Sequence, residues 1–178
     1  MNRAMEKIVV AKTSELEPTL RNFVFEANER QFGSVPIVRE HKWSPPDWTI
    51  VVLVGEKPAS FVNIVERVGR VDGRTVKIAG GNNLMTLPEY RDKGHALKLA
   101  QKFETLIFNN LKVDMGLLLC ATALIPFYEK SGWKRVSCPV IFDQPDRGKV
   151  TWGAETMVLK PDHSALAAQG IDLCGLPW

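Results

Sequence analysis

The run Arg91-Asp92-Lys93-Gly94-His95-Ala96 lies between a strand-like stretch, Val76 to Leu87, and an amphipathic helix, Gly94 to Leu111. A turn at a helix start points several backbone N–H groups one way. Those donors have no intrahelical partner, and the helix dipole makes the same place mildly positive. Such an end suits a diphosphate, and the small residues Gly94 and Ala96 keep side chains out of its way. The apolar stripe Ala96, Leu99, Ala100, Phe103, Leu106 and Ile107 needs a surface to pack on, which ties the helix back to a sheet. Further along, the short apolar run Gly116 to Cys120 precedes Pro126-Phe127-Tyr128-Glu129-Lys130-Ser131-Gly132-Trp133. That segment reads as a short helix bearing a tyrosine and closed by a glycine.

In this order and spacing, the two segments resemble the GNAT superfamily of acyl-CoA-dependent N-acetyltransferases. Arg91-x-x-Gly94-x-Ala96 matches that family's Q/R-x-x-G-x-G/A pyrophosphate loop, and Phe127 to Trp133 matches its F/L-Y-x-K-x-G-F/W segment. The best-matched region runs from Val76 to Val136, and a looser match in the order of elements covers nearly the whole chain. The resemblance implies an α/β fold: a mixed, mostly antiparallel sheet with helices on both faces, in a single acetyltransferase domain over residues 1–178.

It also implies acetyl-CoA as co-substrate and no metal. Arg91, Asp92, Lys93, Gly94, His95 and Ala96 would hold the pyrophosphate. Met85, Thr86 and Leu87 would bind the pantetheine arm through their backbone, as an added strand binds a sheet edge. In the family this strand carries a bulge and splays from its neighbour, so the backbone N–H near Leu84 would face the acyl oxygen. Gly80-Gly81 is a candidate for that bulge or for a close approach to substrate. Tyr128 would be the general acid, because a phenol near pKa 10 keeps its proton where a thiol near 8.5 loses it. The general base is open. Relatives place a carboxylate on the long strand, whereas this chain has Asn82 and Asn83, which would orient acceptor or water. Glu40, Glu66 and the terminal carboxylate are more distant candidates.

The layout is most similar to the aminoglycoside 2′-N-acetyltransferases, down to a tail Gly175-Leu176-Pro177-Trp178 that ends in tryptophan. Trp178 would then help wall the acceptor site; the alternative is that it only covers apolar surface. That branch meets its polycationic substrates with carboxylates, but Leu176, Asn82 and Lys149 stand where acids are expected. The antibiotic substrate is therefore not carried over. The expected partner is a small-molecule or peptide amine, with a homodimer as an open option. The competing reading is a catalytically weak acyl-CoA-binding regulator on the same fold.

Composition narrows the classes further. With 178 residues, 45% apolar and 24% charged, the chain has the makeup of a soluble globular protein with a sizeable core. A net charge of +3 is too small to argue for nucleic acid, and Arg67, Arg70 and Arg74 follow a strand and its turn. Three cysteines without framework spacing read as free thiols in a reducing compartment, and neither they nor the scattered His41, His95 and His163 suggest a metal site. No G-x-x-x-x-G-K-[ST] loop argues for an NTPase. The charged N-terminus lacks a signal-peptide core. Met115 to Phe127 is shorter than the ~20 residues a membrane span needs. The expectation is a cytoplasmic protein without a membrane partner.

Along the rest of the chain, strands are predicted over Lys7 to Ala11, Trp48 to Val54, Ala59 to Val68, Trp133 to Ile141 and Thr151 to Leu159. Ser14 and Glu17 suggest a capping box before a helix with Leu20, Phe23, Val24 and Ala27 on its apolar face. Asp162 suggests the cap of a last helix stopping at Gly170.

Overall fold

The computed structural model describes residues 5–178. In chain order the elements are β1 (Glu6–Lys12), α1 (Pro18–Phe32), α2 (Pro36–Glu40), β2 (Trp48–Val54), β3 (Lys57–Val71) and β4 (Arg74–Thr86). These are followed by α3 (His95–Thr105), β5 (Met115–Cys120), α4 (Ile125–Lys130), β6 (Lys134–Val136), β7 (Val140–Gln144), β8 (Gly148–Thr151), β9 (Glu155–Leu159) and β10 (Ile171–Asp172). A π-helical turn, Leu106–Asn110, prolongs α3.

The strands form one mixed sheet. β1 to β4 are antiparallel neighbours, β5 joins β4 in parallel, and β9 lies between β5 and β6. The far end of β3 pairs with β10, which leads into β7 and β8. Strand alternation sorts the core. Ile50, Val52, Val62, Ile64 and Ala79 face α3, packing on Leu99, Phe103 and Ile107. Val51 and Phe61 face the other way, onto Val24 and Ala27 of α1. Helices thus cover both faces, as expected of the mixed, mostly antiparallel sheet. On the α1 face, the half of the sheet that α1 does not reach is covered by β7, β10 and the tail, through Phe142, Ile171, Leu173 and Trp178.

Several local expectations are corrected by the structure. Glu17, not Ser14, caps α1: its carboxylate accepts from Thr19 N and Leu20 N at 3.0 Å each, with Pro18 at the first helical position. The stretch Trp133 to Ile141 is two strands, because Pro139 cannot donate to a ladder and the chain changes neighbours there. Thr151 to Leu159 is likewise two, broken where Trp152 turns inward and its N–H reaches Val140 O at 2.7 Å. No helix follows Asp162; its Oδ1 accepts from Ser164 N at 3.1 Å in a tight turn, and His163 adopts φ +54°. The chain then runs extended to β10, with Gln169 N and Gly170 N both donating to Asp72 Oδ1.

Gly80 is a close approach, but to the chain's own tail. A Cβ there would lie 2.1 Å from Cε2 of Trp178. The indole is 2% exposed, donates to Leu117 O at 3.2 Å, and carries the Arg67 guanidinium 5.9 Å above it. The tail is held in place by Ser44 N to Pro177 O and Asp143 N to Gly175 O, both at 2.8 Å. Trp178 is therefore a core residue first, and its truncation cannot leave stability untouched. Trp178→Ala should cost about 3–5 kcal/mol in urea denaturation. Gly80→Leu should also destabilise, by about 1–3 kcal/mol, through overpacking. The double variant should lose less than the sum, since leucine would refill the indole's space.

Candidate active site

β4 and β5 pair only from Ile78 and Met115 to Gly81 and Leu118. Beyond that point both strands continue, β4 on β3 and β5 on β9, and no pairing joins them. The reason is a bulge. Asn63 pairs with Asn82 but Phe61 with Met85, so β4 holds one extra residue, and Asn83 takes φ +52°. Asn83 and Leu84 have no cross-strand partner in that register. The bulge falls two residues beyond Gly80-Gly81, where the sequence had suggested it.

A cavity of about 960 Å³ crosses the gap. Residues of both alternations line it: Gly81, Leu118 and Cys120 on the α3 face, Asn82 and Leu119 on the α1 face. On the α3 side it is bounded by Ala100, Phe103, Tyr128 and Trp133; on the α1 side by Glu26, Glu29, Trp43, Trp152 and Trp178. It thus joins two chambers through the sheet. Asn82, Asn83, Leu84, Tyr128 and Trp178, expected at the site, all line this one cavity.

Tyr128 is positioned by α4, which Pro126 starts and Gly132, at φ +85°, ends. Its ring packs edge-on to Trp133 at 5.9 Å and to Phe127 at 5.1 Å. Burial pushes the phenol up to about 12, with Cys120 adding to the rise. The Cys120 thiol is itself raised, by burial and then by the carboxylate of Glu155. Both groups hold their protons at neutral pH.

The loop before α3 lies at the outer end of β4. Gly94 is the N-cap at φ +81°, and a Cβ there would meet nothing within 4 Å. Asp92 also has a positive φ, +60°. Arg91, Asp92 and Lys93 are exposed; Arg91 Nε donates to Thr86 O at 3.3 Å and Lys93 Nζ to Glu89 O at 2.7 Å. Thr86 Oγ1 is 2.7 Å from Ser60 Oγ. Met85 is buried under α1 and Leu87 N donates to Ala59 O, which fixes the strand's exit. Ala96 follows on the first turn of α3. The ring of His95 is 5% exposed, edge-on to Tyr90, with Nδ1 3.4 Å from Glu6 Oε2, which leaves its backbone N–H for the loop.

Sequence reasoning missed the α1 wall. Phe25, Glu26, Asn28, Glu29 and Phe32 line the cavity from the side of α1 away from Val24 and Ala27. The signal was available: Phe25 and Phe32, seven apart, stand on the face that periodicity makes polar. Glu40 and Glu66, weighed as bases, do not line the cavity. Among the described residues no group of three or more His, Cys, Asp or Glu could hold a metal, and no helix is long and apolar enough to cross a membrane.

A family model described as an acetyltransferase (GNAT) domain matches residues 12–136. No curated protein matches the chain. Among solved structures, Escherichia coli ElaA is 12% identical over 88% of this chain and 100% of that one, with a TM-score of 0.61. An acyl-CoA N-acyltransferase from Pseudomonas aeruginosa is 9% identical over 87% and 99% of the two chains, TM-score 0.59. A GCN5-related N-acetyltransferase from Anabaena variabilis is 20% identical over 76% of this chain and 34% of its own, TM-score 0.55. At such identities the likeness is one of fold.

The elevated phenol is directly measurable. The chain has two tyrosines, so Tyr90→Phe leaves Tyr128 alone to titrate. At pH 10, where an ordinary phenol is half ionised, tyrosinate absorbance should be nearly absent. A midpoint near 10 with the fold intact would show that the ring is not desolvated.

Proposed function

The chain belongs to the GNAT acetyltransferase family, and from that premise we propose that it transfers an acetyl group from acetyl-CoA to a primary amine by direct attack. The observation that carries this reading is the cavity through the sheet, with Tyr128 and Leu84 on its wall and an open helix N-terminus at the end of the same strand. The residues present fit the co-substrate. At Gly94 the backbone is bare and open, so the N–H groups of Gly94, His95 and Ala96 can receive a pyrophosphate. Arg91 and Lys93, exposed beside them, add charge of the right sign. The unpaired edge of β4 at Leu84 to Leu87 can take the pantetheine amides.

Acetyl-CoA supplies the activated acyl group. The protein's part is orientation and charge. The Leu84 N–H, at the bulge, stabilises negative charge on the acyl oxygen. The amine nitrogen enters from the α1 chamber, where Asn82 can orient it. The ammonium first gives one proton to water; the C–N bond forms, the C–S bond breaks, the sulfur takes the electron pair, and the second proton lost by nitrogen balances the one gained by sulfur, so one proton is released net. Burial raises the Tyr128 phenol to about 12, so it holds its proton until charge develops on sulfur, and the same desolvation raises the proton affinity of the leaving thiolate. Tyr128 is thus placed to donate to sulfur, first as a hydrogen bond and then as general acid.

The aminoglycoside likeness is not extended to substrate, because the cavity offers two carboxylates, Glu26 and Glu29, for a polycation. One observation favours the competing reading of a weakly catalytic acyl-CoA binder. The sheet side of the cavity carries Asn63, Asn82 and Asn83 where a base would stand. Release of CoA thiol on addition of amines separates the two readings.

Tyr128→Phe keeps the ring packing and removes the hydroxyl, so it should fold normally and lower kcat on the order of 10²–10⁴-fold. A variant at full speed would assign the role to water. Gly94→Gln should fold with some loss of stability, since its side chain enters open space but φ +81° strains a residue with a Cβ, and should weaken CoA binding at least about tenfold. Unchanged affinity by calorimetry would remove the loop from the site.

A further inference from the structure

The α1 chamber has a chemistry that acetyl transfer alone does not require. Phe25, Val35, Ile37 and Leu124, four of the protein's exposed large apolar side chains, line the cavity. Trp43 and Trp152 stand edge to face at 6.3 Å as part of its wall. Their indole N–H groups are already occupied, Trp43 donating to Val38 O at 2.9 Å and Trp152 to Glu155 O at 3.2 Å. Ser44 Oγ donates to Leu176 O, and Asn63 Oδ1 accepts from Thr49 Oγ1. These residues therefore add little unsatisfied polarity to the wall.

The charged groups on the wall are acidic. Among the described residues no lysine or arginine lines the cavity, although the chain's net charge is +3. Glu26 and Glu29 do, and neither is in an ion pair among the described residues. They are three apart on α1 and so share a face. Between them on the chain, Asn28 Oδ1 is buried without a hydrogen-bond partner. The chamber is thus apolar and aromatic with two acidic side chains at its solvent-exposed margin, which suits a ligand with a cationic end and a large apolar body.

We infer that the acceptor is an arylalkylamine: a primary amine carrying one positive charge on a flat aromatic body. This rests on the transferase reading above. An aromatic body buries roughly 150–250 Å² and finds edge-to-face partners in Trp43 and Trp152. A polycation would have to place further ammonium groups against apolar walls without partners, which is unfavourable. A volume of about 960 Å³ is at the upper end for a ligand pocket. It is large enough for the thioester end of one substrate and the ring of another. An alkyl acyl chain in the same chamber would leave Asn28 Oδ1 without a donor.

The experiment compares tryptamine and 2-phenylethylamine with methylamine, spermidine and kanamycin. Thiol release from acetyl-CoA is measured, together with direct calorimetric binding of tryptamine to the CoA-loaded protein. The arylalkylamines should exceed the other three in kcat/KM by at least about tenfold. Phe25→Ser and Ile37→Ser, both at exposed positions, should fold and raise KM for tryptamine several-fold more than that for methylamine. The double variant Glu26→Gln, Glu29→Gln should raise the tryptamine KM with kcat retained. Preference for spermidine or kanamycin overturns the inference and leaves the transferase reading standing. Faster turnover of octanoyl-CoA with methylamine than of acetyl-CoA with tryptamine also overturns it, since the chamber would then hold the acyl chain. Tight tryptamine binding with no transfer to any amine would uphold the chamber's assignment and defeat the transferase reading.

Discussion

The site depends on one extra residue in β4. Side chains in a strand alternate faces, so Ala79 and Met85, an even number apart, should lie on the same side of the sheet. They do not: Ala79 packs under α3 and Met85 under α1. The bulge at Asn83 reverses the alternation and bends the strand away from β5. Without it β4 would go on pairing with β5, the gap would close, and the two chambers would be separated by a continuous sheet. The bulge is tolerated because β3 supplies a firm partner on the other side. Ser60 Oγ donates to Met85 O at 2.7 Å, and Thr49 bridges Asn63 and Thr13 beneath the opening.

A second constraint is the pair Gly80 and Trp178. The absence of a side chain at position 80 lets an indole lie directly on the strand, just short of the point where the strands part. That indole serves the core and the cavity wall together, so the α1 chamber is built partly from the hydrophobic core itself. Arg67 ties the arrangement together, reaching Ser44 Oγ, Leu173 O and the Trp178 face. The wall is thereby held by residues distant from one another along the chain.

What could be read from the residues was what is local. The strand, loop, helix and tyrosine segment from Val76 to Val136 carry their own periodicity and caps, and they stand where the motifs put them. The order of strands in the late region was not legible. β9 inserts between β5 and β6, while β7 and β8 leave to join β10, and no short-range signal encodes that choice. One strand was expected to run through Pro139, and even the break it makes does not say where the chain goes next. The position of the bulge was also hidden: Gly80-Gly81 is the conspicuous pair, yet those glycines serve Trp178 and Phe103, and an ordinary asparagine takes the left-handed conformation. His95 shows the limit of motif reasoning, since the motif fixes its backbone while its ring answers to Glu6 on a distant strand.

The pairing of β10 with the end of β3 brings Asp172 beside Arg70 and Ile171 beside Val71. Contacts of such sequence separation carry a high loop-closure entropy and form slowly. The β1–β4 meander and α3 can assemble from near neighbours, whereas β10 and the tail must wait for the remote chain to return. During that interval the ground that Trp178 later covers, Gly80 and the apolar side chains around Ile78 and Leu117, is open to water. Any partly folded chain in which this pairing is missing leaves an unfilled apolar trough along the middle of its sheet. Refolding at high protein concentration therefore exposes it to self-association before the native wall is in place.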